Sequence, residues 1–153
     1  MYKLDWMDDG CDLDGYPIED DYIEKKGVQK MDKNYGKFFK KEEFDCRCGC
    51  GLNNMQQFLL NTLNTARDYA GMPFFLNRGC SCVAHNKLVG GLPNSAHLDG
   101  FAVDIHTSNS EQRFKIVFGL LKAGFKRIGI YKDFVHADVD MSKPMNIIFY
   151  NEG

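Results

Sequence analysis

Asn94 to His106 reads N-S-A-H-L-D-G-F-A-V-D-I-H, and its second half alternates as a half-buried strand does. Phe101, Val103 and Ile105 fall on one face; Ala102, Asp104 and His106 fall on the other. An ionised carboxylate in such an apolar strand costs several kcal/mol unless it is paired. Asp104 therefore needs a partner, and His97 stands upstream across Gly100, where the chain reads as a loop folding back. Histidine and aspartate suit a zinc ion. The competing reading has Asp104 accepting hydrogen bonds from a nearby turn, with His97 a surface loop residue.

A second stretch, Asp133 to Asp138 (D-F-V-H-A-D), is again strand-like and puts Phe134, His136 and Asp138 on one face. A catalytic zinc site has three protein ligands and an open position for water. His97, Asp104 and His136 form the most economical such set in the sequence. An acidic neighbour of the third ligand is then left to act as general base.

Ser95 to Asp104, S-A-H-L-D-G-F-A-V-D, resembles the S-x-H-x-x-G-x-A-x-D signature of the zinc D-Ala-D-Ala carboxypeptidase family of peptidoglycan peptidases. That family includes phage endolysins and shares its fold with the hedgehog signalling domain. The resemblance runs on through His85–Gly91 (H-N-K-L-V-G-G), Arg127–Tyr131 (R-I-G-I-Y) and Phe134–Asp138 (F-V-H-A-D). Upstream, Glu43–Gly51 (E-F-D-C-R-C-G-C-G) is similar to the E-F-x-C-x-C-G-C-G opening of some members. It covers about 38–150. It implies Zn2+ on His97, Asp104 and His136, and hydrolysis of D-amino-acid-containing peptide bonds in peptidoglycan stem peptides. The alternative on the same scaffold is a noncatalytic binding module.

Two positions depart from the family or stay open. Members carry S-G-Y-R-C-P before the H-N motif, their Arg contacting substrate; here Arg78–Val83 reads R-G-C-S-C-V, so Ser81 stands at the Arg position and Arg78 at the Ser position. A shift of three turns a side chain to the opposite face of a regular strand, so Arg78 reaches the cleft only through a loop or its own length. For the base, the resemblance favours Asp133 through its D-x-x-H spacing to His136. Strand parity favours Asp138, which shares a face with His136 at about 6.8 Å along the strand.

A chain of 153 residues with 44% hydrophobic content fits one globular domain with an adequate core. A formal net charge of -2 argues against a nucleic-acid binder that works by neutralising phosphates. The amino terminus, M-Y-K-L-D-W-M-D-D-G, has no apolar h-region, so no signal peptide is expected. No apolar run approaches the roughly 20 residues of a membrane span. The expected picture is a monomer made in a cytoplasm and acting on the cell wall after phage-type release or on a virion. Residues 1–37 read as a loosely packed acidic arm, with Asp8, Asp9, Asp12 and Asp14 at spacings that fail the calcium-loop pattern. Trp6, Tyr16, Ile18, Tyr22 and Ile23 are its possible anchors. Residues 38–153 form the peptidase domain.

Met55, Leu59, Leu63, Ala66 and Ala70 share a helical face, with Asn53 or Asn54 as cap and Gly71 as stop. A short strand is expected at Phe74–Leu76. A second helix is expected over Asn109–Ala123, with Phe114, Val117, Phe118 and Leu121 inward, a Ser108–Glu111 capping box and a Gly124 stop. Strands near 127–131, 135–139 and 145–150 complete an α+β domain. It is expected to be a small antiparallel sheet with the site on one face and the helices on the other. His85 reads as ordering a loop closed by Gly90 and Gly91, and His106 as lining the site or supporting Asp104.

Cys46, Cys48 and Cys50 lie at C-x-C-x-C, and Cys80 and Cys82 at C-x-C, neither matching the usual C-x₂₋₄-C zinc spacing. Free thiols, one or two disulfides, and a second zinc drawn from both clusters stand as three readings.

Overall fold

The computed structural model describes residues 32–151. The chain divides into two units, 1–33 and 34–153. Residues 1–31, with the aspartate run, the aromatic anchors and Cys11, lie outside the described residues.

The second unit carries a five-stranded sheet made of β1 (Leu76–Arg78), β2 (Ala102–His106), β3 (Arg127–Ile130), β4 (Phe134–Asp138) and β5 (Ile147–Tyr150). Their spatial order is β1-β2-β4-β3-β5. The first four pair antiparallel, as the sequence implies, but β5 lies parallel to β3. The reason is topological. The chain leaves β4 beside the start of β3, skips over β3 and returns on its far side, where Ile147 pairs with Arg127. Because the connection starts and ends at the same end of the sheet, beside Arg127, β5 runs opposite to β4 and therefore with β3, so the sheet is mixed.

Helix α1 spans Gln57–Ala70 and buries Leu59, Leu60, Leu63, Ala66 and Ala70; Gly71 ends it at φ 61°. Met55 is also buried, just ahead of the helix. Gln56, not Asn53 or Asn54, occupies the N-cap position. Those asparagines are spent elsewhere: Asn53 Nδ2 donates to Asp45, and Asn54 Nδ2 donates to the Leu98 carbonyl. A short helix, α2, spans Val83–Leu88 and includes His85, which was expected in a loop.

Helix α3 spans Ser110–Ala123 with Asn109 as N-cap and Gly124 as stop. The box sits one residue later than expected. Asn109 accepts from the Gln112 N–H, while Gln112 accepts from the Ser108 N–H. The buried face also differs, being Ile116, Gly119 and Leu120, while Phe114, Phe118 and Leu121 are exposed. Close approach to α1 decides this. A Cβ on Gly119 would stand 2.4 Å from the Ala66 carbonyl oxygen, a contact only glycine avoids. Helix propensity alone would make Gly119→Ala stabilising by about 1 kcal/mol. Overpacking against backbone costs about 1–3 kcal/mol, so the expected result is a lower midpoint in urea unfolding. An unchanged or raised midpoint would mean that the helices do not meet at this glycine.

Val103, Ile105, Ile128, Val135 and Ala137 join α1 and α3 in one core, with Phe44 and Phe74. The alternate residues of the same strands face away from it. Among the described residues no helix is long and apolar enough to cross a membrane.

Candidate metal centre

The register builds the site as a row across the sheet. Arg78 pairs with Asp104, Asp104 with His136, His136 with Gly129, and Gly129 with Phe149. Period-two alternation then places Phe134, His136 and Asp138 of β4 on the face opposite Val135 and Ala137. A cleft of about 450 Å³ opens there, lined by Arg78, His97, Asp104, Arg127, Tyr131, Phe134, His136, Asp138, Lys143 and Phe149 among others. That volume lies within the range typical of small-ligand sites. Gly129 lets the Phe149 ring pack over β3 beside His136, because a Cβ there would meet that ring at 2.5 Å.

His97, Asp104 and His136 come together, their ligand atoms all within 4.8 Å of one another. His97 arrives from the loop before β2 and is 3% exposed; Asp104 is 7% exposed. Asp104 stands between the two rings, with Oδ2 3.2 Å from His97 Nε2 and Oδ1 2.8 Å from His136 Nδ1. The outer nitrogens have their own acceptors. His97 Nδ1 donates to the Gly79 carbonyl at 2.6 Å, and His136 Nε2 donates to Asp138 Oδ2 at 2.9 Å. The Gly79 carbonyl can only accept, so the His97 proton sits on Nδ1 and its Nε2 lone pair faces Asp104. His136 lies between two carboxylates, and as a metal ligand it would keep its proton on Nε2 for Asp138 and turn a second lone pair inward. Lone pairs facing lone pairs need a positive charge between them. The donor set therefore fits a metal ion, which a proton replaces when none is bound.

The proton's share is visible in the electrostatics. Burial raises the Asp104 carboxyl, but hydrogen bonds from His136 and His97 outweigh it and hold the group well below the usual carboxylate range. Burial lowers His136, but its bonds to Asp104 and Asp138 outweigh that and push it up to about 9.

Arg78 reaches the cleft by a device the sequence did not announce. β1 is irregular between Leu76 and Arg78: Leu76 pairs with Ile105 and Arg78 with Asp104, so two steps on β1 match one on β2. The extra residue, Asn77, acts as a bulge and turns Arg78 onto the cleft face. Arg78 Nε donates to Ser81 Oγ at 2.7 Å, and Nη2 donates to Asn86 Oδ1 at 2.7 Å. The two residues exchanged relative to the family pattern thus touch each other.

Asp138 is 1% exposed and binds His136 and Arg127 Nε, the latter at 3.1 Å. Asp133 lies at the exposed turn between β3 and β4, where its carbonyl accepts from the Thr107 N–H; its chain neighbour Phe134 lines the cleft, and Asp133 does not. His106 shares a face with Asp104 but stands two residues further along, at the exposed end of β2, where it contacts Ser108 rather than the site. The loop closed by Gly90 and Gly91 is ordered by Asn86, whose Nδ2 donates to the Leu92 carbonyl, and not by His85. Arg127 and Lys143 are lining cations that sequence reasoning missed. Arg127 stood in the R-I-G-I-Y motif, whose alternation with Ile128 was the available signal.

No curated protein matches the sequence. The sequence model of the family described as Peptidase M15 matches residues 37–138, a span that contains all three residues of the cluster and ends at Asp138. With a peptidase family's model covering two thirds of the sequence, and a coordination-ready cluster where that family's chemistry needs one, the chain belongs to the Peptidase M15 family.

Proposed function

We propose that this protein is a zinc peptidase that hydrolyses D-amino-acid-containing bonds in the stem peptides of bacterial peptidoglycan. The observation that carries the reading is the convergence of His97 Nε2, Asp104 and His136 Nδ1 at the floor of a cleft, each histidine fixed from behind by an acceptor. Two nitrogens and one carboxylate are a usual ligand set for a catalytic zinc. Zinc held there would supply Lewis acidity toward a carbonyl and lower the pKa of water.

The protein's own groups do the rest. Asp138 keeps the His136 ring turned so that Nδ1 faces the cleft. Arg78 spends Nε and Nη2 on Ser81 and Asn86, while its Nη1 makes no hydrogen bond among the described residues. That nitrogen is available to a substrate carboxylate or a developing oxyanion, which supports Arg78 in the role of the family's cation. Asp133, assigned by its D-x-x-H spacing, takes a proton from the attacking water and returns it to the leaving amine. This requires its carboxylate to turn inward from the exposed hairpin when substrate is bound.

Tyr131, Phe134 and Phe149 give the cleft an apolar wall, with Tyr131 and Phe134 stacked at 4.3 Å. Such a wall beside cations suits a short peptide ending in a carboxylate. All three ligands come from one chain, so a single copy completes the cluster. Resemblance to endolysin-type members supports action on the wall after lysis or from a virion.

The outward placement of Asp133 favours one second reading, a noncatalytic binding module on the same fold. Purified full-length protein, loaded with zinc, is to be incubated with a pentapeptide muropeptide and with a cross-linked dimer, beside His136→Ala. Release of terminal D-Ala or of monomers, abolished by chelator and by His136→Ala, is the expected result. Zinc uptake with neither product would transfer the protein to the binding-module reading.

A further inference from the structure

On the side of the loop that carries Gly79, away from the cleft, two short segments bring four cysteine sulfurs together. Cys46, Cys48 and Cys50 come from the loop after Phe44, and Cys82 stands just ahead of α2; their sulfurs all lie within 4.8 Å of one another. We propose that these four residues form a second metal site, structural in role, that takes one zinc ion in an all-thiolate tetrahedral shell.

The spacing of the sulfurs argues for a metal between them. Cys46 Sγ is 3.4 Å from Cys48 Sγ, which is 3.6 Å from Cys82 Sγ. A disulfide needs about 2.0 Å. Four sulfurs at ~2.3 Å from a common zinc stand ~3.8 Å apart along the edges of the tetrahedron. The observed separations are within a few tenths of an ångström of that edge. They are far from a bond.

Local backbone supports the same assignment. C-x-C-x-C would string its side chains about 6.8 Å apart if extended. Here the Gly49 N–H donates to the Cys46 carbonyl at 3.1 Å and closes a turn, and Gly49 and Gly51 take φ of 79° and 78°. A Cβ at either glycine would meet nothing within 4 Å, so conformation, not crowding, calls for glycine. The curl gathers the three sulfurs that a strand would separate.

The sulfurs also differ in hydrogen bonding from the one cysteine nearby that stays outside the cluster. Cys46 Sγ accepts from the Cys82 N–H, and Cys82 Sγ accepts from the His85 N–H, each at 3.3 Å. Accepting amide protons suits a thiolate. Cys80 is buried, and its Sγ donates to the carbonyls of Phe44 and Leu52, which keeps it a thiol. Thiolate sulfur with no oxygen donor in the set selects zinc over magnesium or calcium. Binding exchanges the four S–H protons for one Zn2+, with no change of oxidation state.

The site has a clear mechanical purpose. Cys82 ends the strap from Gly79 to Cys82, whose Gly79 carbonyl holds His97 Nδ1 and whose Ser81 N–H donates to the His97 carbonyl at 2.9 Å. Arg47, between two of the cysteines, ties the same loop to β1 through the Leu76 carbonyl at 2.7 Å. A zinc ion clasping Cys82 to the 46–50 loop fixes the strap from behind.

The test is metal content of the full-length protein purified under reducing conditions with zinc, beside two double variants. Wild type is expected to hold two zinc ions per chain. Cys48→Ser with Cys50→Ser, both exposed positions, should hold one. His97→Ala with His136→Ala should also hold one. Cobalt replacement gives the independent readout: a thiolate-to-cobalt charge-transfer band kept in the histidine variant and lost in the cysteine variant. If the cysteine variant misfolds, the band in wild type and the histidine variant still decides. Equal zinc in wild type and the cysteine variant, iron in place of zinc, a disulfide among the four, or no charge-transfer band would each overturn the proposal. Loss of zinc from the cysteine variant alone, with the histidine variant unchanged, would leave this site standing and remove the proposed catalytic one.

Discussion

Asp104→Ala is expected to abolish metal binding at the His97–Asp104–His136 site, and hydrolysis with it. Among the described residues the Asp104 carboxylate alone bridges the two imidazoles, at 3.2 Å and 2.8 Å. Losing an outer partner of a metal ligand typically costs about 10–100-fold in affinity. Losing one of three direct ligands should cost more than that. The same residue sets a proton signature. In the metal-free chain His136 keeps its proton up to about 9, so at neutral pH the incoming ion must displace it. The metal-free state then binds more protons than the loaded one, and apparent affinity should climb as pH rises toward 9 and then level. Calorimetry in buffers of different ionisation heat should read about one proton released per ion at this site in the background lacking the four-cysteine cluster. Unchanged affinity on adding Asp104→Ala to that background, or no proton release without it, would sink this account. The raised His136 pKa also has a stability consequence. Its contribution to the metal-free fold is full below the ordinary histidine value and is lost as pH rises through about 9.

What the sequence made legible was whatever depended on near neighbours. His97, Asp104 and His136 were readable because an acid in an apolar strand demands a partner, and alternation fixes which face each strand residue shows. The stops of α1 and α3 were readable because Gly71 and Gly124 supply positive φ where a helix must end. Features set by distant contacts were not. Helix α3 carries apolar residues nearly all round, so its inward face was chosen by Gly119 meeting Ala66, a contact no local pattern contains. The bulge at Asn77 that delivers Arg78 to Asp104 shows itself only in the pairing with β2. The parallel β5 depends on which edge of the sheet is free when the chain leaves β4. Arg127 is likewise placed by a cross-strand contact, its Nε on the buried Asp138 carboxylate of β4 at 3.1 Å.

Asp133→Asn and Asp138→Asn should fail in different ways, and the difference assigns the base. Asp138 is surrounded by donors: His136 Nε2 and Arg127 Nε bond to Oδ2, and the Asp140 N–H bonds to Oδ1. Both oxygens of this carboxylate are thus already engaged, and one of those contacts holds a ligand in place. Its removal should instead loosen His136, lower zinc affinity about 10–100-fold and leave turnover largely recoverable at saturating zinc. Among the described residues no hydrogen bond or ion pair holds the Asp133 side chain, which is exposed at the hairpin. Asp133→Asn should therefore keep full zinc content at ordinary concentrations and lose turnover by about 10²–10⁴, the usual worth of a positioned base. Added zinc should not restore it. The measurement is kcat on a muropeptide across a zinc titration, with metal content determined on the same samples. Should Asp133→Asn turn over normally while zinc-saturated Asp138→Asn is inert, the proton acceptor is Asp138. The D-x-x-H spacing would then have pointed to the wrong carboxylate, and strand parity to the right one.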